Sequence, residues 1–142
     1  MDADGVRLRF IGRRDRFAPQ IAEEIEWAEE LTARHTARTL FVAFDYGGRA
    51  EILNAAERYG GGGEDEFRRH LYAPDQKDPE LIIRTGNELR LSNFLLWQAA
   101  YSELYFTPVY WPDFDREHLY EAIRDYQKRS RRFGAIAEND SD

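Results

Sequence analysis

The stretch TLFVAFDYGGRAEI, Thr39 to Ile52, limits the possible folds more than any other part of the chain. Thr39 to Asp45 is an almost unbroken apolar and aromatic run, as expected of a strand covered on both faces in a parallel sheet. YGGR, Tyr46 to Arg49, then supplies a glycine turn, most simply a packed one. From Ala50 to Tyr59, the residues Ile52, Leu53, Ala56 and Tyr59 fit one face of a helix. Strand, glycine turn and helix make a βα unit, so helices should flank the strand.

The neighbouring segments repeat the alternation. VRLRFIG, Val6 to Gly12, alternates apolar and basic residues with period two and ends in glycine, which predicts a half-buried strand. From Pro19 to Leu31, Ile21, Ile25, Trp27, Ala28 and Leu31 recur at near-helical spacing among glutamates, and proline opens the segment where its missing N–H costs nothing. ELIIR, Glu80 to Arg84, and LYF, Leu104 to Phe106, read as further strands, and SNFLLWQAA between them as a short helix. Arg116 to Arg132 carries Leu119, Ile123 and Tyr126 at helical spacing and collects cations at its end, which suits the helix dipole. The spacing predicts an α/β fold with a mostly parallel sheet flanked by helices, over residues 1–137, followed by a loose acidic tail over 138–142.

Composition narrows the function classes. A chain of 142 residues with net charge −7 repels nucleic acid, so an anion site must be a local arginine cluster set against the global field. Cysteine is absent, which removes disulfides and thiolate catalysis and fits the cytoplasm. No apolar run approaches the ~20 residues needed to cross a bilayer. His35, His70 and His118 lie far apart without metal-ligand spacing. Gly60 to Gly63 reads as a connector, because no Lys-Ser/Thr follows to define a phosphate loop. Trp97, Trp111 and Phe114 read as core or interface packing.

The chemistry concentrates in LIIRTGNELRLSNFLLWQAAYSELYF, Leu81 to Phe106. Arg84, Arg90 and Ser92 are close in sequence and Gly86 permits a tight bend, so two guanidinium forks and a hydroxyl can converge after a strand. In parallel sheets ligands bind beyond the carboxyl ends of strands, and guanidinium forks match phosphate oxygens. A diphosphate is the expected guest, and the carboxylate of Glu103 beside it is a candidate Mg²⁺ ligand. The bland reading is a buried salt-bridge network without a ligand.

These residues, with YGGRAEI and the late RRFG, resemble the C-terminal signature of the cis-prenyltransferases, the undecaprenyl diphosphate synthase family, over about Val6 to Gly134. The resemblance implies that Arg84, Arg90 and Ser92 hold the diphosphate of isopentenyl diphosphate, and that Glu103 helps ligate Mg²⁺. Arg132 and Gly134 match an R-x-G element that reaches a partner's diphosphate site across a dimer, so a homodimer or heterodimer is expected. It also implies transfer of an allylic prenyl diphosphate onto isopentenyl diphosphate, with at most peripheral membrane contact through the lipid product.

Two departures from the family pattern bear on activity. Glu80 stands where the family usually has Asp, and Asn87 replaces a glycine; Asn is the non-glycine residue that best tolerates a left-handed backbone. The family's H-x-x-x-M-D-G-N-x-R and F-S-x-E-N-W segments have no counterpart here, so no catalytic residue is assigned and an incomplete version of the fold is expected. The chain by itself should be inactive, with a sheet edge and an apolar face uncovered. The alternatives are a non-catalytic subunit that needs another chain, and a simple polyanion-binding module.

Overall fold

The structure is a computed structural model, and it describes residues 2–129. The chain divides into two compact units, residues 1–76 with 93–95, and residues 77–92 with 96–142. Arg132, Gly134 and the acidic tail lie outside the described residues.

The first unit starts with β1 (Val6–Ile11), α1 (Pro19–Thr32) and β2 (Arg38–Ala43), the two strands pairing in parallel from Val6 opposite Arg38 to Ile11 opposite Ala43. A parallel pair needs a crossover, and α1 provides it. Proline at the first helical turn starts α1, as its sequence predicts. Its docked side differs from the apolar stripe, however. Ile25 and Thr32 are buried, whereas Ile21, Trp27 and Leu31 are exposed. The reason lies in β1, whose outward amides need acceptors. Thr32 Oγ1 accepts from the Leu8 N–H at 2.9 Å, and the Glu29 carboxylate accepts from the Phe10 N–H at 2.7 Å. A polar seam on α1 thereby closes the outer edge of β1.

The glycine turn leads into α2 (Gly48–Ala56), and α3 (Gly63–Arg68) follows. Helix α2 is also rotated from its apolar stripe: Gly48, Glu51 and Ala55 are buried, while Leu53 is 66% exposed. Helix α3 was not anticipated. It starts in the segment read as a connector, and Phe67 anchors it by packing edge-on to Tyr59 at 5.4 Å between ring centroids. Strand β2, expected under helices on both faces, is instead largely exposed and pairs only with β1.

In the second unit β3 (Leu81–Arg84) and β4 (Glu103–Phe106) pair in parallel, Leu81 opposite Glu103 and Arg84 opposite Phe106. The segment expected to form a helix between them is a chain of turns, with hydrogen bonds such as Ser102 N–H to Ala99 C=O at 3.0 Å. Left-handed backbone at Ser92, Asn93 and Leu95 breaks any helix there. Helix α4 (Arg116–Lys128) begins at Asp115, whose carboxylate accepts from the Glu117 and His118 N–H groups. Trp111, read as packing, is 76% exposed and stacks on Phe114.

Candidate functional site

Strand β3 delivers Arg84 at its carboxyl end, and the next residues bend the chain back. Gly86 and Asn87 have φ of 84° and 60°, a region in which asparagine is the best tolerated residue after glycine. Their N–H groups bond the Val109 and Thr107 carbonyls at 2.8 and 3.1 Å. The loop is therefore stitched to the segment after β4. It returns Ser92 to Arg84, whose Nη1 donates to Ser92 Oγ at 3.0 Å and to the Arg90 carbonyl.

Both partners of Arg84 are neutral, and among the described residues it forms no ion pair. It is half-buried at the carboxyl end of a parallel strand, so an anion arriving there would meet an uncompensated guanidinium with N–H donors left over. The side chain of Arg90 points elsewhere, in an ion pair with Glu88. The structure thus joins Arg84, Ser92 and the main chain of Arg90, while the Arg90 guanidinium must leave an exposed carboxylate to take part.

Glu103 is not brought to this site. It opens β4 opposite Leu81, whereas Arg84 lies opposite Phe106; three residues along the pair separate the two ends by roughly 10 Å. Its carboxylate accepts from Arg129 Nη1 at 2.7 Å, and Arg129 also grips Asp125 at 2.6 Å. The hydrogen bond to Glu103, then that to Asp125, raises the Arg129 pKa above its ordinary value. Tyr126 OH donates to Glu80 at 2.7 Å, so the two acidic residues at the amino ends of β3 and β4 tie down α4. No group of three or more His, Cys, Asp or Glu that could hold a metal occurs among the described residues. The expected magnesium site beside Arg84 is therefore not fitted by this chain's described residues, and Glu103 serves there as a structural carboxylate.

The YGGR turn is also held by groups that the sequence does not single out. The Gly48 N–H bonds the Asn93 carbonyl at 2.8 Å and the Arg49 N–H bonds Asn93 Oδ1 at 2.8 Å, so asparagine occupies the start of α2. Glu51 is 1% exposed, accepts from Tyr46 OH at 2.5 Å and takes the Tyr72 N–H at 3.0 Å. Burial first, then the bond to Glu51, pushes the Tyr46 phenol far above its ordinary pKa, keeping it a donor. A repeated pattern offers no signal for such a group; its only trace is a glutamate one turn after a glycine turn. A separate cleft of about 500 Å³ in this unit is lined by Arg13, Arg14, Leu53, Asn54 and Tyr72. Its two arginines are already paired with Asp15 and Glu29.

A parallel α/β architecture with an arginine–serine anion site at a strand's carboxyl end defines a phosphate-binding α/β protein. The family described as "Putative undecaprenyl diphosphate synthase" matches residues 1–134, and the chain belongs to it. An isoprenyl transferase of Neisseria meningitidis serogroup B is 51% identical over 140 residues, covering 95% of this chain and 56% of that protein. One from Thermotoga maritima is 47% identical, covering 92% and 60%. The structure of a probable undecaprenyl diphosphate synthase from Campylobacter jejuni superposes with a TM-score of 0.86 at 36% identity, covering 94% of this chain and 65% of that one. Lavandulyl diphosphate synthase from Lavandula x intermedia, solved with dimethylallyl diphosphate, gives 0.86 at 34% identity, covering 91% and 60%. The chain therefore spans between just over half and two thirds of the length of these relatives. Among the described residues no helix is long and apolar enough to cross a membrane.

Proposed function

We propose that this chain supplies the acceptor-diphosphate anchor of a cis-prenyltransferase. In that reaction a carbon–carbon bond forms between isopentenyl diphosphate and the first carbon of an allylic diphosphate, whose carbon–oxygen bond breaks. Diphosphate leaves and the acceptor loses a proton. The observation that carries the reading is the half-buried, uncompensated Arg84 with Ser92 beside it, in a chain whose relatives are isoprenyl transferases. Arg84 and Ser92 would fix the acceptor's diphosphate, with Arg90 joining on release from Glu88; positioning and charge then do the catalytic work. A divalent cation would draw off charge from the departing diphosphate, and no residue described here is assigned to it.

A second reading is favoured by the exposed β2 and by the share of the relatives that the chain spans. In it, the diphosphate pocket is retained and another polypeptide segment completes the catalytic centre. Both readings predict that the chain binds isopentenyl diphosphate. Calorimetric titration of that ligand, with inorganic diphosphate as competitor, tests them. Binding that Arg84→Ala abolishes supports the assignment, and binding indifferent to Arg84→Ala, or no binding, overturns it.

A further inference from the structure

Strand β2 has one finished edge and one open edge. The Phe44 N–H bonds the Ile11 carbonyl at 2.9 Å, which fixes the side that faces β1. Backbone groups alternate sides along a strand, so Thr39, Phe41 and Ala43 aim their N–H and C=O groups away from β1. Among the described residues no hydrogen bond reaches those three amides. The outer edge of β1 shows the contrast, since side chains of α1 close it through Thr32 and Glu29.

Edge strands in folded proteins are usually guarded by charge, proline, a bulge or a covering element. Between Thr39 and Ala43 there is neither a charge nor a proline, and Leu40 is 39% exposed with Phe44 at 47% just beyond. This is the sequence of an interior strand placed at an edge. Both solved relatives carry over a third of their length beyond the part that superposes on this chain, and the Neisseria relative has 44% of its length unmatched.

We propose that the open edge of β2 is the docking site for an extended apolar strand from that remaining portion of the family fold, whether carried on the same polypeptide or on another. Main-chain pairing with Thr39, Phe41 and Ala43 supplies register, and Leu40, Phe41 and Val42 supply the apolar surface on its two faces. The inference rests on family membership and not on the diphosphate assignment, so the two can fail separately.

The test is co-expression of this chain with the unmatched portion of the Neisseria meningitidis isoprenyl transferase as the probe, in the absence of any diphosphate. A one-to-one complex is expected by light scattering, with the Thr39, Phe41 and Ala43 amides fast in hydrogen exchange in the chain alone and at least tenfold slower in the complex. Ala43→Pro deletes an edge N–H that β1 does not use; it should keep the chain's melting temperature and weaken the complex at least tenfold, whereas Ala43→Val retains binding. Thr39→Pro, at the other end of the strand, is the second variant if Ala43→Pro fails to fold. Slow exchange at these amides in the chain alone would show that a second copy covers the edge, and overturns the proposal. So does failure of the two polypeptides to co-purify, or a complex indifferent to both proline variants.

Discussion

Asn93 holds the start of α2: its Oδ1 accepts from the Arg49 N–H at 2.8 Å while its carbonyl accepts from the Gly48 N–H at 2.8 Å. Asn93 itself has φ of 67°, a left-handed conformation that asparagine tolerates better than other non-glycine residues. Two properties of one side chain are therefore in use, and two substitutions separate them. Asn93→Ala loses both the acceptor and the backbone tolerance, and should cost about 1–2 kcal/mol in denaturant unfolding. Asn93→Gly loses only the acceptor and should cost less. Equal losses would mean that the backbone conformation carries no energy here.

Glu51 is a buried carboxylate with two donors on it, the Tyr46 hydroxyl and the Tyr72 N–H. Glu51→Leu should leave both donors buried and unpaired, at about 1–3 kcal/mol for each. Tyr46→Phe removes one of those donors and should cost less on its own. In the Glu51→Leu background it should cost less still, because the phenol is by then already without its acceptor. Chemical denaturation of the two single variants and the double variant measures this.

At the amino end of β4, the Glu103–Arg129 pair is about two-thirds buried on both sides, with side-chain exposures of 28% and 33%. Glu103→Gln should reduce stability by about 1 kcal/mol and leave isopentenyl diphosphate affinity within about twofold, because the carboxylate lies at the opposite end of the strand pair from Arg84. Arg84→Ala should do the reverse, weakening that affinity roughly ten- to hundredfold for a lost charge-assisted bond of about 1.5–3 kcal/mol. A shift in magnesium dependence on Glu103→Gln, measured in a completed enzyme, would restore the metal role that the sequence suggested.

The pH dependence of the first unit should trace to Glu29. Burial tends to raise its pKa, but the Arg14 guanidinium and the Phe10 N–H outweigh that and hold it below its ordinary value of 4.5. A carboxyl depressed by folding contributes stability above its unfolded pKa, and loses it as pH falls through the folded value. Unfolding midpoints should therefore be level from neutral pH down to about 5 and drop below it. Glu29→Gln should be less stable at neutral pH and show a shallower drop.

Helix α4 starts on Asp115, which takes the N–H groups of Glu117 and His118 at 3.0 and 3.2 Å. Asp115→Ala should cost about 1 kcal/mol, and Asp115→Asn much less, as thermal melts would show.

The order of elements was legible in the chain because it depends on neighbours in sequence. Pro19 starts a helix through its own ring, the alternation in Val6 to Ile11 makes a strand, and Arg84 followed by Gly86 and Asn87 turns back on itself within a few residues. Family membership was legible for a related reason, since RTGNELRLSNFLLWQ is one continuous stretch. The burial of each face, and the work of each charge, depended on residues far away in sequence. Trp27 is exposed and Thr32 buried because the amides of Leu8 and Phe10 needed acceptors. Glu51 could enter the interior only because Tyr72, 21 residues later, brings a donor to it. The strand register set Glu103 at the end of β4 away from Arg84, where Arg129 claims its charge. Apolar periodicity records how much surface a segment can bury, but hydrogen-bond satisfaction and register decide which surface is buried, and those are properties of the tertiary structure alone.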